Sequence, residues 1–297
     1  MSTNGVVVIG TFDGVHLGHQ EVLRRARELE PGPLTVVTFW PHPLGVVAPE
    51  HAPKLLCDLH TRISLLKDAG ATEVRVVRFR PEVSRWSPAE FISRIIDPLL
   101  PSRVVVGDNF RFGHCASGDV GALRELSGGR FEVTCLELKR INRATTSSTL
   151  IREALFEGDV RRAAQHLGRD FRFRGVVVLG DQRGRELGFP TANLIVPDEL
   201  AVPADAVYAG YLTKLDGSAQ GPLPAAISVG SNPTFDGQER RIEVHVLGRT
   251  DLELYGTEVA VDFVARLRGQ IKYSNKEALI EQMRADVAQA RRLLTLG

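Results

Sequence analysis

Residues 6–19 read Val6-Val7-Val8-Ile9-Gly10-Thr11-Phe12-Asp13-Gly14-Val15-His16-Leu17-Gly18-His19. Four apolar residues end at a glycine, and apolar residues return with helical spacing over Gln20–Leu29. The stretch predicts a buried strand, a tight turn and a helix start. Such a turn gathers unpaired backbone N–H groups and the positive end of a helix dipole, which suits an anion. Gly10 and Gly14 are expected to let the backbone approach a phosphate, and His16 and His19 to donate hydrogen bonds to its oxygens. The two histidines are also half of a zinc site, but no nearby cysteine or third histidine completes a tetrahedral set. Taken alone, the pair is also readable as polar turn residues with no ligand.

Outward from this turn the first half alternates. Leu34–Phe39, Glu73–Phe79 and Arg103–Val106 read as strands, and Thr61–Ala69 as a helix. Ser87-Pro88-Ala89-Glu90 is a capping box that predicts a helix to about Ile96. Alternation of this kind means a parallel sheet with helices, whose ligands bind beyond the carboxyl ends of the strands. Gly10-Thr11-Phe12, Trp40-Pro41-His42-Pro43 and Gly107-Asp108-Asn109 each follow such an end. Thr149–Glu157 and Val160–Leu167 read as short helices, stopped by Gly158 and Gly168.

After Phe171 the texture changes. Val176–Leu179, Val207–Leu215, Ala225–Val229, Ile242–Leu247 and Val259–Ala265 are short strands between turn-rich segments, which predicts an antiparallel barrel. A last helix is expected behind a Ser274/Glu277 capping box, with Leu279, Met283, Val287, Ala290 and Leu294 on one face. The boundary is placed between residues 1–170 and 171–297. At 297 residues the chain has room for roughly two domains of about 150. A net charge of +1 argues against a broad nucleic-acid or membrane surface. Cys57, Cys115 and Cys135 are too few and too scattered for a disulfide scaffold, so reduced, mostly buried thiols and a cytoplasmic protein are expected. No apolar run approaches the ~18 residues of a membrane span.

The opening turn resembles GxFDGxHxGH, the signature of the nucleotidyltransferase superfamily with a Rossmann-like fold. Thr146-Ser147-Ser148-Thr149-Leu150-Ile151-Arg152 resembles that superfamily's second signature, in which hydroxyls at a helix start and an arginine on its first turn hold phosphates. Thr38-Phe39-Trp40-Pro41-His42-Pro43 resembles TFxPHP, and Val106–Gly113 resembles VGxxFRFG. In the second half, GDQRGRELGFPTANL (180–194), Tyr208-Ala209-Gly210, Gly230–Phe235 and Arg241-Ile242-Glu243-Val244-His245 resemble the riboflavin kinase hallmarks. Together these motifs look like the bifunctional prokaryotic riboflavin kinase/FAD synthetase family.

That resemblance implies an α/β Rossmann-like nucleotidyltransferase domain followed by a β-barrel riboflavin kinase domain with a C-terminal helix. It implies two reactions: phosphorylation of riboflavin to FMN and ADP, and adenylylation of FMN to FAD and pyrophosphate, with ATP as co-substrate and Mg²⁺ in both. For the adenylyltransferase it implies ATP binding by Gly10, Phe12, Asp13, Gly14, His16, His19, Ser147, Ser148, Thr149 and Arg152, with His16 and His19 catalytic. Flavin binding would fall to His42, Asn109, Phe110 and Phe112. For the kinase it implies ATP binding by Gly180, Arg183, Gly184, Arg185, Gly188, Thr191 and Asn193. Thr191 and Asn193 would hold the metal through oxygen atoms, and Glu243 would be the general base. A weak homo-oligomer is compatible with the sequence, which leaves the oligomeric state open, and no nucleic-acid or membrane partner is expected. Three departures stand out: Trp40 where the family usually has an acidic residue, Gly248-Arg249 for its Asp-Phe, and Gln270 at a commonly acidic position. The alternatives are a riboflavin kinase whose N-terminal domain uses another acceptor or nucleotide or is weakly active, and a flavin-binding sensor.

Overall fold

In the computed structural model Val6–Ile9 forms strand β1, and all four residues are buried. Their side chains alternate between two layers. Val6 and Val8 pack with Leu23, Val36 and Leu66, while Val7 and Ile9 pack with Val37, Ile96 and Val106. A strand covered on both faces needs a continuous apolar run, which is what the sequence supplies. The structure describes residues 5–136, 140–141, 144–180, 187–218, 221–234, 237–273 and 275–295. Two units divide the chain, Met1–Ser148 and Thr149–Gly297.

In the first unit β1 is joined by β2 (Leu34–Trp40), β3 (Glu73–Arg78), β4 (Arg103–Gly107) and β5 (Glu132–Leu136). All pairs are parallel, in the order β3-β2-β1-β4-β5. The order switches direction at β1, so the crevice beyond its carboxyl end is where such a sheet takes a ligand. Helices α1 (Leu17–Leu29), α2 (Pro43–Val47), α3 (Leu59–Asp68), α4 (Pro88–Phe91) and α5 (Val120–Ser127) connect the strands. Strand β5 is absent from the sequence-based expectation. It lies at the sheet edge with none of its residues fully buried, so no apolar run marks it. The Ser87 capping box forms as expected. The regular α-helix nevertheless stops at Phe91 and continues as a π-helical turn over Ile92–Ile96. Pro98, in the 3₁₀ turn that follows, lacks an N–H and excludes regular α-helical pairing with the turn before it. Arg140–Ile141 (β6) and Ala144–Thr145 (β7) form a short antiparallel ribbon.

Helix α6 (Ser148–Glu157) begins at the last residue of the first unit and continues into the second, followed by α7 (Val160–Leu167). Gly158 and Gly168 end them at φ 75°, as the sequence predicts, and the Asp159 carboxylate accepts the N–H of Arg162. Six strands close a barrel in the order β10-β11-β12-β9-β8-β13. They are β8 (Phe171–Val178), β9 (Ala192–Ile195), β10 (Ala206–Lys214), β11 (Leu223–Thr234), β12 (Gly237–Val246) and β13 (Glu258–Gly269). β8 begins five residues before the expected Val176, because Phe171 and Phe173 point inward while Arg172 and Arg174, alternating with them, pair with Asp262 and Glu258. Gly210 sits at a register shift where any Cβ would run into the carbonyl of Asp262, which accounts for the glycine of Tyr-Ala-Gly. Helix α8 (Lys276–Thr295) packs its Ala290 and Leu294 on Ala209 and Leu247. Its start carries Asn275, whose carboxamide accepts the N–H of Ala278, and Ser274 lies outside the described residues. All three cysteines are free; Cys57 is buried and Cys135 half-buried, but Cys115 is exposed, against expectation.

Candidate active sites in the two units

The turn after β1 is strained and held from several sides. Phe12, Gly14 and Val15 have φ of 49°, 74° and 39°, in the left-handed region that only glycine enters without strain. The Asp13 carboxylate points inward, 1% exposed, accepts the N–H of Leu56 at 3.1 Å and pairs with Arg62 at 3.2 Å. Thr38 Oγ1 donates to the carbonyl of Thr11. Ser148 Oγ donates to the carbonyl of Asp13 at 3.0 Å, so the two distant signatures meet here. The two glycines have local reasons. Gly14 needs its positive φ and lies against Leu56, and a Cβ on Gly10 would press on the Phe12 ring. These local demands stand beside the expected approach of a phosphate to this backbone, and Gly10 lines the cleft described below.

His16 is buried and caps α1, its Nδ1 accepting the N–H of His19 at 3.3 Å. With Nδ1 an acceptor, the ring proton sits on Nε2. The His16 and His19 rings stack at 3.6 Å, and Phe12 meets His19 edge-on at 5.1 Å. Loss of water, then His16 and then Arg62, hold the His19 imidazole well below its ordinary pKa, so it is neutral. Its Nδ1 is buried without a hydrogen-bond partner among the described residues. No group of three or more His, Cys, Asp or Glu that could hold a metal ion occurs among the described residues.

A cleft of about 960 Å³ opens beyond the strand ends. Of the residues singled out from sequence, Gly10, Phe12, His19, His42, Asn109, Phe110 and Phe112 line it; Asp13, Gly14, His16, Ser147 and Ser148 are not among its lining residues. His42 caps α2, its Nδ1 accepting the N–H of Leu44. Phe110 and Phe112 stack at 5.3 Å; Phe112 belongs to the core with Phe91, while Phe110 is half-buried. Thr149 and Arg152 follow on α6, at the divide between the units.

In the barrel, register builds the site. Asn193 of β9 is opposite Glu243 of β12, which is opposite Ser228 of β11. Directly opposed residues share a face. Here that face is the outer one, because Ile242, Val244 and Val246 fill the interior. Two cavities of about 310 and 280 Å³ flank the row, and Thr191 lines both. Asn193 lines the first with Gly180; Glu243 lines the second beneath Leu279, Met283 and Val287 of α8. Gly180 is where any side chain would collide with Asn193. Asn193 Nδ2 lies 3.4 Å from Thr191 Oγ1, so their polar ends converge. Gly188 takes a φ of 83°. Arg183, Gly184 and Arg185 lie outside the described residues.

The comparisons with known proteins follow this division. A family model described as FAD synthetase matches residues 1–150, and one described as riboflavin kinase matches 167–294. A bifunctional riboflavin kinase/FMN adenylyltransferase of Listeria monocytogenes is 36% identical, over 97% of this chain and 92% of its own. The proteins of the same description from Bacillus subtilis and Escherichia coli K12 are each 33% identical, covering 96% and 98% of this chain and 91% and 93% of their own. The chain belongs to the bifunctional riboflavin kinase/FMN adenylyltransferase family. Membership makes it an enzyme with two transferase activities and ATP as co-substrate. A solved structure described as a macrolide-efflux protein from Streptococcus pneumoniae has a TM-score of 0.87 and 31% identity, covering 98% of this chain and 95% of its own. The transport in that description stays with that protein; no described helix here is long and apolar enough to cross a membrane.

Within this riboflavin kinase/FMN adenylyltransferase fold, several residues beside the sites had no role assigned to them from the sequence. His245 follows Glu243 on the same strand face and donates from Nδ1 to the carbonyl of Pro190 at 2.9 Å, bracing the Thr191 segment. Period-two spacing from Glu243 was the available signal. Burial pushes His245 below its ordinary pKa. Arg268 and the buried Asp286 pair in two-pronged fashion at the wall of the second cavity, and Gln270 donates to Ser228 Oγ and the Val229 carbonyl. Arg62 of α3 reaches the turn from a helix without any motif.

Proposed function

We propose that the barrel unit phosphorylates riboflavin with Glu243 as its base, and that the cleft of the first unit joins FMN to the adenylyl group of ATP. Convergence supports this reading: in each unit, residues far apart in sequence meet at one place, the wall of the cleft in the first unit and the junction of the two cavities in the barrel. Glu243, Thr191 and Asn193 do so around β9 and β12, and the His19 and Ser148 motifs do so at the turn after β1.

In the kinase step Glu243 takes the proton of the ribityl 5′-hydroxyl as its oxygen attacks the γ-phosphorus of ATP, and ADP leaves. Thr191 and Asn193 are two neutral oxygen donors at the junction of the cavities, a set that suits Mg²⁺ retaining waters and phosphate ligands. Mg²⁺ bound there would neutralise phosphate charge. Gly180 packs against Asn193 and Gly188 takes a positive φ, and Arg183, Gly184 and Arg185 are added to the ATP side by sequence alone.

In the adenylyl step an oxygen of the FMN phosphate attacks the α-phosphorus of ATP and pyrophosphate leaves. The nucleophile is already anionic, so the residues need only position and stabilise. A neutral His19 donates a hydrogen bond without adding a full charge. His16 fixes the helix start, Ser147, Ser148, Thr149 and Arg152 gather at the start of α6, and His42, Asn109, Phe110 and Phe112 supply the flavin side. Residues 1–170 are assigned to this activity and 171–297 to the kinase, since the kinase model starts at 167 and the first barrel strand at Phe171. We also assign a cytoplasmic location and no nucleic-acid partner. The alternative of another acceptor or weak activity rested on Trp40; that residue stacks on Arg62 and does not line the cleft.

Incubation of the purified chain with riboflavin, ATP and Mg²⁺, with products resolved by chromatography, is expected to give FMN first and FAD after it. FMN without FAD would sink the adenylyltransferase half of the reading.

A further inference from the structure

Arg62 heads the fully buried side chains of this protein by size, with 0% exposure. Its guanidinium donates to the carbonyls of Thr11 at 3.1 Å and Phe39 at 3.2 Å and pairs with Asp13 at 3.2 Å. The Trp40 ring covers it at 5.2 Å. Nε is buried with no acceptor among the described residues. One side chain thus ties the end of β1 to the end of β2 where the strained turn begins, and Phe12 and Val15 keep left-handed backbone there despite their Cβ atoms.

A buried cation with an N–H left unpaired is costly to keep, and an apolar side chain of similar volume braces a fold more cheaply. Strained backbone persists only where its surroundings over-determine it. We propose that Arg62 is a positioning residue for adenylyl transfer: it holds the Thr11–Val15 turn in the geometry that presents His19 to the cleft, with Trp40 as its cover. The inference rests on the adenylyltransferase reading of this unit. It also accounts for the departure at position 40. An acidic residue there would meet the cation as an ion pair, and an indole face meets it through its quadrupole. Charge is the second part of the role. The ionisable groups facing His19 are His16 from its own turn and Arg62 from α3; those facing Arg62 are Asp13 and Cys57.

The test uses the full chain with Arg62→Lys and Arg62→Met, measuring FAD formation from FMN and ATP and FMN formation from riboflavin. Lysine keeps a charge for Asp13 but loses the planar fork that spans two carbonyls. Arg62→Lys is expected to lower kcat for FAD formation by about 10- to 100-fold, with KM for ATP within about threefold, because misplacement costs the transition state more than binding. FMN formation should be unchanged. In Arg62→Met the charge beside His19 is gone, so the acid limb of log kcat against pH should move to higher pH; in Arg62→Lys it should stay. Wild-type kcat per folded molecule in Arg62→Lys would overturn the proposal even if Arg62→Met fails to fold. An unmoved acid limb in a folded Arg62→Met would do the same. A wild-type chain that makes no FAD from FMN and ATP would instead overturn the adenylyltransferase reading, and this inference with it.

Discussion

His19 joins two physical demands in one ring. It lines the cleft, and it is held neutral by loss of water, by the stacked His16 and by Arg62. In the unfolded chain the same imidazole takes up a proton below about pH 6.5. The unfolded state then binds more protons than the folded one, so stability is present above that pH and lost as pH falls towards the depressed folded value. Melting followed at pH 7.5 and pH 5 should show a larger drop for the wild type than for His19→Gln, by at least a few degrees. Equal drops would mean that His19 titrates normally when folded. The spacing of the two histidines was legible in the sequence, and so was their place at a helix entrance. Their difference was not. His16 caps the helix from within and His19 faces the cleft, a distinction set by one hydrogen bond of 3.3 Å and by which ring lies outermost.

At the scale of elements, legibility follows burial. β1 and β4 are apolar on both faces and announce themselves, whereas β5 at the half-exposed sheet edge does not; β9 is the exception, buried but only four residues long and starting inside the polar Pro-Thr-Ala-Asn segment. The apolar stripe of α8 was readable from Leu279, Met283, Val287, Ala290 and Leu294. Its buried acid was not, because Asp286 is recognisable as inward only once Arg268 of β13 is opposite it. That pair joins the helix to the barrel at the wall of the cavity that holds Glu243. Removing one partner of a buried ion pair leaves the other uncompensated, at about 3–5 kcal/mol for full burial. Asp286→Ala should therefore lower the melting temperature of the barrel unit and raise KM for riboflavin, while FAD formation from supplied FMN persists. A riboflavin KM equal to that of the wild type would detach this pair from the flavin side of the cavity.

For the whole molecule, the two reactions ask different things of protein side chains. A hydroxyl nucleophile gains from a base within hydrogen-bond reach, and a phosphate nucleophile does not. Glu243 and its neighbours Thr191 and Asn193 belong to the barrel, while His19, Gly10 and Ser148 belong to the first unit. Of the adenylyltransferase set, Thr149 and Arg152 fall just past the divide, on the helix that Ser148 begins. With labour divided in this way, the activities separate by single substitutions. His19→Gln should cut FAD formation from FMN by at least about 100-fold, the loss typical of one donor to a developing oxyanion, and leave FMN formation intact. Glu243→Gln should cut FMN formation by about 100- to 10,000-fold, the span of general-base effects, and leave FAD formation from supplied FMN intact. Mixing the two variants with riboflavin, ATP and Mg²⁺ should then restore FAD, since FMN made by one molecule can diffuse to the intact cleft of another. Loss of both activities in either folded variant would show that the sites are not independent. Separate losses without restoration in the mixture would show that FMN does not leave the molecule that makes it.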